Sequence, residues 1–176
     1  MNYPGVKNGL FLGIALTVLS LVIYLISPQF FVAGWGMAFS GISLLVYLFF
    51  MIMTGRNYKS DNEGFASFGE ILKPIFITAL IGGVMHTIFN YCLFNFIDPD
   101  LANFLQDTMM ANFEDSGFLS EDQIEEMQDQ MEAENSFDPS ISKTMLNAGV
   151  GAIVGFIISL IIAAVQKKDR PEDILM

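Results

Sequence analysis

The sequence predicts an all-α membrane protein: four transmembrane helices in an antiparallel bundle, with an acidic extracytoplasmic helical hairpin between helices 3 and 4. Three observations predict it. Four long runs, residues 8–26, 30–53, 75–97 and 145–165, contain no Asp, Glu, Lys or Arg. The chain is 53% hydrophobic but only 15% charged, where an average soluble protein has about 25% charged residues. The charges are also segregated. Residues 98–143 hold thirteen acids and one base, net −12, which leaves +1 on the rest of a chain whose total is −11.

Each run approaches the roughly 20 residues that a helix needs to cross a hydrocarbon core. None has the polar face of a helix half-buried in a soluble core. The reading is one four-span domain over 1–176, with 98–144 as an acidic helical insertion. The first run follows Lys7, as a secretory signal would, but it is too long and "YLISPQF" offers no small-x-small cleavage site. It is therefore expected to stay in the mature protein. Cys92 is the single cysteine, so no intrachain disulfide can form, and a thiol inside the third run reads as a small buried apolar group.

The bases flank the runs on one side: Lys7, then Arg56, Lys59 and Lys73, then Lys167, Lys168 and Arg170. The positive-inside rule makes that side cytoplasmic. Both termini are then cytoplasmic, and 98–144 is extracytoplasmic with Lys143 its single base. The short "SPQ" link makes helices 1 and 2 a hairpin. Tyr24, Phe30, Phe31 and Trp35 around it suit the membrane–water boundary. In "GFASFGEILKP", Ser67 and Glu70 fit a capping box. Pro74 predicts a short turn over 68–73 with a kink or restart before helix 3.

Helices in lipid associate through small residues and a few hydrogen bonds. Four stripes have suitable spacing. Helix 4 carries Asn147, Gly151, Gly155, Ser159 and Ala163. Helix 1 carries Gly9, Gly13, Thr17 and Ser20, running toward Tyr24; helix 2 carries Gly36, Ser40, Ser43 and Tyr47. Helix 3 carries Thr78, Gly82, His86 and Asn90. Steps of four drift only about 40° each on a 3.6-residue helix, so each set lies on one slowly winding stripe. Gly151, Gly155 and Ser159 are the helix-packing candidates. Thr78, Gly82, His86 and Asn90 are the candidate intramembrane polar seam. His86 falls near the bilayer midplane, where an ionisable residue is a functional candidate by default. A neutral imidazole satisfied by neighbouring Thr, Asn, Ser or Tyr is the plainer reading. No carboxylate lies in any run to relay its proton.

In the acidic insertion, Leu101, Phe104, Leu105 and Met109 recur at helical spacing after Asp98-Pro99-Asp100. Ser120 and Gln123 then open a second helix with a thin stripe of Ile124, Met127 and Met131, and Gly117 sits at the turn between them. Helix, acidic glycine turn and helix outline an EF-hand. Yet Asn112 and Gln123 stand where the loop's first Asp and last Glu belong. No metal site and no cofactor is expected. With no phosphate loop, dinucleotide fingerprint or basic patch, neither an enzyme nor a nucleic-acid binder is expected.

Three segments, "VKNGLFLG", "GFASFGEILKPIF" and "FNFIDPDL", occur in an order and spacing that resembles the bacterial membrane proteins of domain of unknown function 4199. The resemblance covers most of the chain and is strongest over 64–101. It implies a small multi-pass protein of the bacterial inner membrane and transfers no functional residues. The functional expectation is a structural or interaction role, with lipid as one partner and a protein as the other, the latter met at the acidic segment. The alternative is a small transporter or channel using the polar stripe of helix 3.

Overall fold

The computed structural model describes residues 3–117, 120–134 and 139–170, and the side chains of 33–35, 116, 121 and 131–134 lie outside that description. Among the described residues, six helices run in the order α1 (Pro4–Ile26), α2 (Ala33–Asp61), α3 (Phe68–Cys92), α4 (Leu101–Ser116), α5 (Glu121–Glu134) and α6 (Ile141–Gln166). A 3₁₀ turn at Pro28–Phe31 joins α1 to α2, and a π turn at Leu93–Ile97 ends α3. Four segments are long and apolar enough to cross a membrane: Pro4–Ile26, Gly36–Asp61, Phe68–Ile97 and Ile141–Gln166. Their outward faces carry large apolar side chains such as Leu25, Leu45, Ile153 and Val165. Water would penalise such a surface; lipid does not.

Helix bounds follow local chemistry. Pro4 opens α1, where a missing N–H costs nothing. At the end of α2, Glu63 and Gly64 adopt positive φ, 58° and 84°, and the Gly64 N–H returns to the Lys59 carbonyl at 2.7 Å. The second run therefore understates its helix, since α2 continues through Arg56 and Lys59 to Asp61. The capping box is present: the Ser67 N–H donates to Glu70 Oε2 at 2.8 Å. The separate turn over 68–73 and the restart at Pro74 do not occur: α3 is one helix from Phe68 through Pro74. Proline removes a single intrahelical bond there. The residue is fully buried, against the α1 backbone at Gly5, so packing holds the helix together across the gap.

α1 and α3 form the tightest pair. A Cβ added at Gly5 would stand 2.7 Å from the Pro74 carbonyl, one at Gly9 2.8 Å from Ile81 Cβ, and one at Gly13 2.7 Å from Met85 Cβ. From the other side, Gly82 admits Leu12, whose side chain would lie 2.5 Å from a Cβ there. Such approach distances let the glycine backbone of one helix sit directly against the other helix, which is how helices gain contact in lipid.

Two apolar clusters mark the ends. At the basic end, Met51, Ile71, Ile75, Ala79, Ile162 and Ala163 join α2, α3 and α6. The α2–α3 loop and the end of α6 are clasped there by paired backbone bonds between Ala66 and Lys168, both 2.9 Å, with the Lys168 ammonium 4.9 Å over the Phe65 ring. At the other end, Leu101 and Leu105 of α4 pack with Leu93 against Tyr24, Phe31 and Val32. Gly117, at φ 62°, ends α4. Ser120 and Gln123 cap α5, the Ser120 N–H donating to Gln123 Oε1 at 3.0 Å. Ile124 and Met127 are half-buried along α5. The expected roles of Trp35, Met131 and segment 135–138 fall outside the described side chains and residues.

Candidate functional site

The helix-3 stripe divides into two environments. Its basic-end half is sealed. Thr78 is fully buried; its hydroxyl lies 2.8 Å from the Thr54 hydroxyl and within reach of the Gly5 and Pro74 carbonyls, at 3.1 and 3.0 Å. Asn8 donates to Thr54 Oγ1 at 3.0 Å, and Thr54 reaches its own Phe50 carbonyl at 2.8 Å. Asn8, Thr54 and Thr78 thus tie α1, α2 and α3 together through side chains almost wholly removed from solvent. Each buried polar group has a partner, which is the condition for such a network to stabilise. Gly82 continues this closed stretch beneath Leu12.

The other half is open. His86 Nε2 lies 2.8 Å from Ser20 Oγ of α1 and 3.5 Å from Asn90 Nδ2. An amide nitrogen can only donate, so both neighbours are satisfied when Nε2 accepts and the ring is neutral with its proton on Nδ1. His86 also lines a groove of about 390 Å³ between α2, α3 and α6. Ser43 and Tyr47 face it from α2, Gly83 and Thr87 from α3, Asn147, Gly151 and Gly155 from α6. The Tyr47 hydroxyl, in the lining, donates to the Ala79 carbonyl at 2.6 Å. Ser43 Oγ is buried there with no hydrogen-bond partner.

A second groove of about 240 Å³ lies beside it, toward the end of α3 and the start of α6. It shares Thr87 and Asn147 with the first and adds Asn90, Tyr91, Pro139 and Thr144. Above it, the Asn95 amide donates to the Tyr91 and Pro139 carbonyls, at 3.0 and 2.9 Å. Tyr24 donates to Asp98 at 3.1 Å. These bonds fix where the chain leaves α3 and returns to α6.

The small residues of α6 fall into different settings. Gly155 approaches Ala79 and Tyr47, each 3.5 Å from an added Cβ, whereas Gly151 has nothing within 4 Å. Ser159 is buried and bonds its own Gly155 carbonyl at 2.7 Å. Among the described residues, no group of three or more His, Cys, Asp or Glu could hold a metal ion.

Asn8, Thr54 and Gly5 are the structural residues that run boundaries conceal. Thr54 follows Met53 directly, and extending the charge-free stretch to Arg56 would have included it. Gly5, Gly9 and Gly13 form a spacing of four that begins before Lys7.

Helices of this length, apolarity and outward hydrophobicity define a multi-pass membrane protein. Within that class the chain belongs to DUF4199, a protein family of unknown function, whose family model matches residues 7–168. No curated protein and no solved structure matches it.

Proposed function

We propose that this protein is a non-enzymatic structural or interaction component of the bacterial inner membrane. In this reading α1, α2, α3 and α6 form an antiparallel bundle. Both termini and the basic end face the cytoplasm, and residues 98–144 face the periplasm. The bundle acts as a platform that presents the acidic α5 face to a protein partner. The observation that carries the reading is the seating of α4: Leu101 and Leu105 are buried against Tyr24, Phe31 and Leu93. A helix anchored in this way holds the following helix at a defined place, while Glu125, Glu126 and Asp129 of α5 remain exposed. Three like charges on one exposed face favour a basic surface, with strength that falls as salt rises.

The alternative, a small transporter or channel along the helix-3 stripe, draws support from the groove at His86. Against it stands the sealed Asn8–Thr54–Thr78 half of the same stripe. The test is crosslinking in the native membrane with Glu125, Glu126 and Asp129 changed to Lys together, which leaves α4 intact. Loss of the crosslinked partner supports the interaction role. An unchanged crosslink pattern, or none in the wild type, removes it.

A further inference from the structure

The two grooves adjoin at Thr87 and Asn147, and polarity rises from the first to the second. The part deepest in the span is walled by Leu16, Leu80, Val84, Gly151 and Ile158, with His86 and Tyr47 at its edge. The part nearest α4 and α5 offers Thr87, Asn90, Thr144 and Asn147, all uncharged hydrogen-bonding side chains. Among the described residues, no Asp, Glu, Lys or Arg lines either part. Toward the basic end the lining includes Tyr47, bonded to the Ala79 carbonyl, and Tyr47 packs on the Met51–Ile162 cluster. The cleft is a slot set among lipid-facing helices, more apolar in the first groove and more polar in the second.

We propose that this cleft binds one membrane glycerophospholipid from the leaflet on the α4–α5 side. Its acyl chain lies along Gly151, and its ester carbonyls meet Asn90, Thr87 and Asn147. The orientation follows from the gradient, because a lipid of that leaflet points its chain toward the midplane and its esters toward the end of the span. The amide and hydroxyl donors suit carbonyl acceptors, and unmade bonds at such a depth are costly. Gly151 supplies the width: nothing stands within 4 Å of a Cβ there, so the chain would occupy the space that a second helix fills along α1 and α3. The headgroup is zwitterionic. The chain from residue 98 to 143, which leaves α3 and returns to α6 at that end of the span, carries thirteen acids against one base, which repels an anionic head and favours an ammonium. This site is independent of whether α5 has a protein partner.

The test uses the full chain in vesicles of zwitterionic glycerophospholipid doped with the same lipid bearing a photoreactive acyl chain. Wild-type protein is expected to crosslink on α6 around Gly151 and on α3 around Thr87 at several times the yield of the exposed α1 face at Phe11 and Val18. Gly151→Leu, whose Cβ meets nothing within 4 Å and whose side chain takes up the slot, should cut the cleft yield at least about tenfold. Gly149→Leu, equally free of neighbours but outside the cleft, should leave it unchanged. An anionic photoreactive lipid should label the cleft several-fold less than the zwitterionic one. Equal labelling of cleft and α1 face, or a cleft yield indifferent to Gly151→Leu, overturns the proposal. So does an anionic lipid labelling as well as the zwitterionic one.

Discussion

Ser20 Oγ stands 2.8 Å from His86 Nε2, across the α1–α3 interface and 66 residues away in sequence. This bond accounts for the ionisable ring among apolar helices: a neutral imidazole accepts from a hydroxyl that α1 brings to it. Interhelical bonds of this type average about 0.6 kcal/mol in lipid and reach about 1.7. Ser20→Ala should therefore destabilise the protein by about 0.5–1.5 kcal/mol. In a double-mutant cycle with His86→Ala, measured by reversible unfolding in mixed micelles, the two residues should show a coupling of about that size. A coupling of zero would mean that the bond contributes nothing to stability.

The glycines of α1 and α6 look alike in sequence but should respond oppositely to alanine. Gly5→Ala places a methyl 2.7 Å from the Pro74 carbonyl, a backbone atom that cannot rotate away. Overpacking of that kind typically costs about 1–3 kcal/mol. Gly151→Ala meets open space and restricts the unfolded chain, so it should be neutral or stabilising by up to about 1 kcal/mol. Unfolding midpoints of the two variants beside wild type decide the matter. Equal losses would mean that α6 is packed as closely as α1.

This contrast explains what was legible in the sequence. Spans are readable because the bilayer imposes one rule, length without charge, on each segment separately. Caps are readable because Ser67–Glu70 and Ser120–Gln123 act within one turn. A glycine every four residues tells where a helix is thin but not what occupies the thin side, and that is decided by the partner helix. Asn8 and Thr54 were hidden for the same reason. Each is an ordinary polar residue near a run boundary until α3 sets Thr78 between them. Continuity through Pro74 was likewise invisible, because local propensity opposes it and only packing against Gly5 favours it.

Thr54 is the hub of that hidden network, touching Asn8, Thr78 and the Phe50 carbonyl. Thr54→Val keeps the shape and removes the hydroxyl, leaving Asn8 Nδ2 buried without its acceptor. An orphaned buried polar group costs about 1–3 kcal/mol. The combined variant with Asn8→Leu should recover part of the loss, since no unpaired amide remains. Unfolding measurements on the single and double variants would show the non-additivity. Simple addition of the two losses would break the link drawn between these residues.

Orientation can be tested with the cysteine content as it stands. Cys92 is the one thiol, so a Cys92→Ser background is silent to maleimides. Ser60→Cys puts a probe on the exposed end of α2, beside the bases of the proposed cytoplasmic side. Ser120→Cys puts one on the exposed start of α5, beside the acids. The positive-inside argument rests on seven bases at one end against Lys143 alone at the other. It predicts that a membrane-impermeant maleimide, given to cells with a permeabilised outer membrane, labels Ser120→Cys and spares Ser60→Cys until the inner membrane is broken. The reverse pattern would invert the topology and place the acidic insertion in the cytoplasm. Labelling of both sites in intact spheroplasts would instead mean two orientations. The cleft would keep its geometry in either case, but its lipid would then come from the opposite leaflet.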